Sequence, residues 1–408
     1  MRVSRVLTAV GVAAASCAVA FIPASPAAAA AAPAAINARQ FFTTTDTAGL
    51  AANVAALDTA LGTGRKRTVG QVMTAANRER TGLCNSATYA QLSARSTVEG
   101  FCWNDGDDAV DYWYPQGITT SRDAVASGHV DNHQIVVTSW YHIPANESAS
   151  APNKGFRLSF VDWDADWPNT YRHMIAVEPT AGGNFKAVPV HAGGIMWYGN
   201  LMYVADTSRG FRVFDLNRIY SVNTGDGTKI GKQSDGTFHA FDYAYVLVQV
   251  GWVRSAGAAF RHSFVALDQA SSPPSLIVGE YSPDADGNGV PDENARVMRY
   301  PLNATTKWPS VEADGRTYAS EAYDTHIPQL QGATARNGRF WFSSSNGQSP
   351  GYLRVWDRGT TAVRSYRWLV GAEDLSYYPH PDQADMLWSL GEYPNKRVVV
   401  AVPQADWD

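Results

Sequence analysis

The sequence predicts an all-β protein, a five-bladed β-propeller with a small N-terminal helical arm. Three observations lead there. A three-strand unit recurs along the chain from about residue 103. The connections between those strands are rich in Gly, Asp and Asn, which tight antiparallel turns require. The 408 residues are 12% aromatic and only 17% charged, with 34 Gly and 13 Trp, unlike a long helical bundle. The net charge of -5 comes from 33 Lys+Arg against 38 Asp+Glu, without the clustered cations that neutralise phosphates. Nucleic acid is therefore excluded as a partner.

Residues 1–35 read as a signal peptide. Arg2 and Arg5 precede an apolar stretch over 6–22, and small residues follow through Ala35. Pro23 and Pro26 end the stretch near the lower limit for a span, and no later segment reaches 18 apolar residues. The expectation is a secreted, extracellular monomer with no membrane span in its mature form. Cys17 leaves with the signal. Cys84 and Cys102, 18 positions apart, are then expected to form the one disulfide of an exported chain.

Residues 36–100 are read as the helical arm that the disulfide pins to the body. Leu50, Val54, Leu57 and Leu61 fall on one face of a predicted helix. Thr68 and Gln71 have the spacing of a capping box before a second helix.

Residues 101–408 carry the propeller. Clear copies of the unit start near Gly193, Gln331 and Glu373, and looser ones near Pro115 and Ser263. Each is a three-strand meander, usually followed by a fourth strand candidate. The last copy lacks its fourth strand because the chain ends at Asp408. A strand from residues 99–114 is expected to pair there and close the ring.

In such a ring the inner strands begin on one face. Their starts carry Gln116, His191, His262, His326, Gln331, Glu373 and Asp374. His191, His262, His326, Glu373 and Asp374 are the candidate catalytic residues. The three imidazoles are candidate bases, or ligands of a divalent transition metal. Gln116, Gln331, Trp140 and Trp197 are the candidate substrate-binding residues, the indoles as faces for sugar rings. Asp206, Glu280, Ser344 and Glu392 end the next strands, for cation binding or for hydrogen bonding between blades.

Residues 284–292 read Asp-Ala-Asp-Gly-Asn-Gly-Val-Pro-Asp. Asp284, Asp286, Asn288 and Asp292 place oxygen ligands at positions 1, 3, 5 and 9, with Gly289 at position 6 and the Val290 carbonyl at 7. This predicts bound Ca2+. The loop resembles those of dockerins and thrombospondin type 3 repeats. It departs from an EF-hand, because Ala295 stands where a bidentate Glu would be.

The stretch from His191 to Ile219, with Gly371-Ala-Glu-Asp-Leu-Ser-Tyr-Tyr and Leu387-Trp-Ser-Leu-Gly-Glu-Tyr, resembles secreted β-propeller proteins of actinomycetes. The resemblance covers residue 100 onward. It implies fold and export and transfers no catalytic residues. The functional expectation is action on an extracellular polysaccharide in the central funnel, as a lyase or glycoside hydrolase. The alternatives are a non-catalytic glycan-binding propeller and a calcium-dependent phosphoesterase or lactonase acting on another extracellular small molecule.

Overall fold

The computed structural model describes residues 31–84, 86–164, 169–380 and 383–408. The predicted signal thus lies outside the described residues up to residue 30. The chain is mostly β, and its strands run in antiparallel meanders of four, the first two joined into one larger sheet by parallel pairing of residues 246–248 with 175–177. The first holds Trp113–Thr120, Ile135–His142, Phe156–Asp162 and Thr170–Thr180. The second holds Ile195–Tyr198, Leu201–Asp206, Gly210–Ser221 and Tyr245–Gly257. The third holds Phe264–Asp268, Ser275–Gly279, Arg296–Pro301 and Glu321–Asp324. The fourth holds Leu330–Arg336, Arg339–Ser344, Pro350–Asp357 and Val363–Val370. The fifth supplies Ala372–Tyr378, Met386–Gly391 and Val398–Pro403, and borrows its outer strand, Glu99–Cys102, from the N-terminal side. Cys102 pairs with Val398 and Glu99 with Ala401. The expected closing strand is therefore in place.

Burial explains why these segments read as hydrophobic runs rather than clean alternations. Each sheet is covered on both faces. Trp197 and Phe214 pack with Phe160 and Leu158 between the first and second meanders. Tyr203 and Val213 meet Val278 and Met298 between the second and third. Ile277 and Val297 meet Phe340 and Phe342 between the third and fourth. Trp341 and Leu353 meet Leu375 and Val400 between the fourth and fifth. Trp388 and Val399 meet Trp113 and Trp140, returning to the first. The first strands of successive meanders also touch in a closed circuit. A cycle of layers in which every sheet has two neighbours fits a propeller. Each fully buried large side chain contributes about 1.5–3 kcal/mol.

The inner strands approach backbone to backbone. A Cβ on Gly332 would lie 2.6 Å from Asp374 Cα, and one on Gly194 would lie 2.4 Å from the Val265 nitrogen. Only glycine fits such crossings.

Residues 36–100 contain the helices Ala48–Leu61, Val69–Thr74 and Ser86–Ser93. Val54, Leu57 and Leu61 are buried on the first, and the Thr68–Gln71 capping box forms on the second. The stretch also adds strands to the body: Phe41–Asp46 pairs with Tyr245–Gly257, and Arg78–Glu79 with the start of Thr170–Thr180. Ala34 and Ala35, inside the predicted signal boundary, pair with Asp324 and Tyr323. Cys84 and Cys102 are disulfide-bonded, so the bridge ends on the closing strand. No helix of the described residues is long and apolar enough to cross a membrane.

Candidate functional site

A cavity of ≈ 530 Å³ opens where the inner strands begin and the next strands end. Gln116, His191, Gln331 and Glu392 line it, together with Tyr141, Tyr281, Tyr393 and Arg261. Four residues singled out from the sequence thus converge. Glu373 lies directly beneath: it is buried and accepts a 2.9 Å hydrogen bond from Gln331 Nε2. Glu392 accepts a matching 2.9 Å bond from Gln116 Nε2. The site therefore holds two carboxyl groups, each oriented by a carboxamide from a neighbouring sheet.

Their environments differ. Burial, followed by the nearby charges of Glu392 and Asp374, raises the Glu373 carboxyl well above the usual range. Burial also raises Glu392, opposed by Gln116, the Arg397 guanidinium and the Tyr393 hydroxyl. Burial and the two glutamates push Tyr141 well above the usual phenol range and Tyr393 up to about 12, so both remain hydroxyl donors. His191 is exposed as a residue although protein surrounds its ring, as expected on the wall of a recess. That enclosure lowers its pKa to about 4, leaving the imidazole neutral at pH 7. Its ring lies 4.3 Å from that of Tyr141.

Asp374 sits deeper. It is fully buried, and its Oδ2 accepts from the Ile118 and Ile195 amides at 3.2 and 3.4 Å. Burial raises its carboxyl well above the usual range. It ties together the inner strands of three sheets and does not face the cavity.

Several of the expected site residues lie elsewhere. His262 is buried between Phe211 and Phe260, with both ring nitrogens unpartnered. It points into the layer between two sheets. His326 lies on the connection before Leu330, half-exposed, 3.5 Å from Asp324 Oδ1 and away from the cavity wall. The three histidines therefore assemble no ligand set among the described residues. Trp140 is wholly buried, its Nε1 donating to Thr138 and Ser159, and Trp197 packs on Phe160 while donating to the Gly199 carbonyl. Neither indole has a face left for a sugar. Asp206 and Glu280 are ion-paired within their own sheets, to Arg212 and Arg296, and Ser344 bonds Arg354. Only Glu392 of that set faces the funnel.

Residues 284–292 form an exposed turn between Ser275–Gly279 and Arg296–Pro301. Asp284, Asp286, Asn288 and Asp292 each accept a backbone N–H of the loop, from Gly289, Asn288, Val290 and Ala285 in that order. Asp284 Oδ1 is shielded from solvent and unpartnered. Val290 is 58% exposed.

Sequence reasoning misses Tyr281, Tyr393 and Arg261. Each adjoins a residue it did single out, namely Glu280, Glu392 and His262. It also misses a Ser–His–Asp alignment. Ser159 Oγ lies 2.8 Å from His173 Nδ1, and His173 Nε2 lies 3.0 Å from Asp107 Oδ2. These distances match a nucleophile triad. Ser159 has no exposed surface, however, and already accepts from Trp140. Asp107 also takes Arg157, Arg78 and the Tyr171 hydroxyl. The cluster is a buried polar joint.

No protein-family profile matches the chain, and no curated protein sequence is significantly similar to it. Among solved structures, the GH43_1 enzyme from Xanthomonas citri complexed with xylose aligns at 11% identity, covering 78% of this chain and 93% of that one, with a TM-score of 0.30. The computationally designed Ika8 protein aligns at 9% identity, covering 72% and 98%, with a TM-score of 0.24. Likenesses this slight carry no argument about activity.

Proposed function

We propose that the chain is a secreted five-bladed propeller that cleaves an extracellular carbohydrate in its central funnel by acid–base chemistry of the glycoside hydrolase type. The observation that carries this is the pair of carboxyls, Glu392 on the cavity wall and Glu373 buried behind the lining Gln331, each held by a carboxamide. Hydrolysis of a glycosidic bond needs one protonated and one ionised carboxyl beside the scissile oxygen. Environments that separate two pKa values supply that pair. Glu373, the more buried, holds its proton and donates it to the leaving oxygen. Glu392, beside Arg397 and Tyr393, is the carboxylate. Gln116, Gln331, neutral His191 and the tyrosine hydroxyls offer donors and acceptors to sugar hydroxyls, and Tyr141, Tyr281 and Tyr393 offer ring faces. A lyase or metal mechanism through three histidines loses its ligands, since only His191 reaches the funnel.

In the same reading the loop 284–292 holds a structural Ca2+ through Asp284, Asp286, Asn288, Asp292 and the Val290 carbonyl, and the unpartnered Asp284 Oδ1 supports it. The loop stands beside the funnel rim, where Glu293 pairs with Arg261 at 2.8 Å.

The test is turnover on a panel of polysaccharides and aryl glycosides. Wild-type hydrolysis should fall about 10²–10⁴-fold in Glu373→Gln and in Glu392→Gln. The basic limb of the pH–rate profile should vanish in Glu373→Gln, because the amide has no proton to lose. Unchanged turnover in both variants overturns the assignment. Tight glycan binding without turnover would instead establish the non-catalytic reading.

A further inference from the structure

A second cluster lies at the other end of the first blade and takes no part in the funnel. His133 stands two residues before the strand Ile135–His142, Asp162 ends Phe156–Asp162, and Asp164 follows in the next connection. Ile135 pairs with Asp162, and Thr120 with Val136, so the three residues sit where the inner strand ends. Gln116 lies toward its other end, in the funnel.

One ligand atom from each of His133, Asp162 and Asp164 falls within 4.8 Å of the others. His133 Nδ1 is 3.3 Å from Asp164 Oδ2. Two ligands at about 2.1 Å from a tetrahedral ion stand roughly 3.4 Å apart. The inner oxygens are already used for positioning: Asp164 Oδ1 accepts from the Gln134 amide, and Asp162 Oδ1 from the Asp164 amide, each at 2.9 Å. The cluster has a second, independent feature. Asp162 is wholly buried, and its Oδ2 has no hydrogen-bond partner. Burying an unpaired carboxylate oxygen beside a second carboxylate is costly unless a cation joins them. Arg80 is close but does not fill that role. Its Nε donates to the Asp162 backbone carbonyl at 2.9 Å, and its guanidinium lies over the Trp163 ring. It shapes the turn and leaves the carboxylates to another partner.

We infer that His133, Asp162 and Asp164 form a binding site for a single divalent transition-metal ion of the zinc type. One imidazole and two carboxylates suit a borderline cation, whereas Ca2+ takes six to eight oxygens. Two carboxylates neutralise the ion. Three protein ligands leave a fourth position, and Asp164 lines an adjoining cavity of ≈ 730 Å³ bounded by Gln134, His129, Tyr378 and Trp388. Water or a small anionic ligand can complete the sphere from there. The ion would clasp the two connections at this end of the blade.

The experiment is zinc titration of chelator-stripped full-length protein by calorimetry, with Co2+ absorption as a second readout. Wild type should take up one zinc that survives Asp284→Asn/Asp286→Asn, which separates it from the calcium loop. Asp164→Asn, at the most exposed ligand, should weaken zinc at least about 100-fold, beyond what losing an outer-shell partner costs. It should also abolish the cobalt d–d bands while leaving the circular dichroism unchanged. His133→Gln should do the same, so a folding defect in one variant leaves the other decisive. Absence of micromolar zinc binding in wild type, or Asp164→Asn binding within tenfold of it, overturns the site. Neither result bears on Glu373 and Glu392, whose test is turnover.

Discussion

Asp374 ties three sheets together, its Oδ2 accepting from the Ile118 and Ile195 amides. Its place at an inner-strand start is legible from the repeat. Its direction is not, because adjacent residues of a strand face opposite sides. Glu373 receives the carboxamide of the cavity-lining Gln331, and Asp374 turns back to receive two amides. Its pKa is raised in the folded state, so its stabilising contribution is complete below the unfolded value, near pH 4, and is lost as pH rises through the folded one. Asp374→Asn should therefore remove a loss of stability that wild type shows in urea unfolding as pH rises above the unfolded value, near pH 4. An equal loss in the variant would mean that another group titrates. His173 behaves in the opposite sense. Burial, then Arg157, lowers its pKa to about 3, so its contribution is present above the unfolded value, near 6.5, and is lost as pH falls toward 3. His173→Asn should lessen the acid sensitivity of folding between those values.

Elements were the most legible scale. Strand lengths, turn residues and the Thr68 capping box follow from spacing alone, and the meanders appear where the repeats place them. The glycines of the repeat carry a further meaning that only the packing reveals. Gly332 and Gly194 stand where two inner strands cross, and neither has a positive φ. Gly332→Ala would drive a methyl into the Asp374 backbone, so a loss of about 1–3 kcal/mol in denaturant unfolding is expected. A neutral result would mean that the axis can widen. The aromatic residues were the least legible. A run such as Ile195–Tyr198 is buried throughout, so no alternation tells the observer which indole meets solvent.

Closure belongs to the whole molecule. The fifth sheet is completed by Glu99–Cys102, and the Cys84–Cys102 bridge fastens that strand. Arg397 adds a second clasp, donating to the carbonyls of Trp113, Asp107 and Glu392 at 2.6–2.8 Å. Replacing both cysteines by serine should cost about 3 kcal/mol in chemical denaturation, the chain-entropy worth of a loop of this size. It should also expose the edge of Val398–Pro403 to self-association, seen as concentration-dependent scattering. Stability and monomer content equal to wild type would place the closure elsewhere.

The sequence by itself determined the repeating meander, the closing strand, the disulfide and the positions from which the funnel is built, because turn chemistry, hydrophobic runs and cysteine count are local properties. Tertiary structure alone decided which side chains enter the funnel. In a ring of sheets covered on both faces, a one-residue change of parity moves a side chain from the axis into a layer between sheets. That parity separates Glu373 from Asp374. It also set His173, Asp107 and Ser159 in one buried cluster, and His133, Asp162 and Asp164 in another, from segments that share no motif.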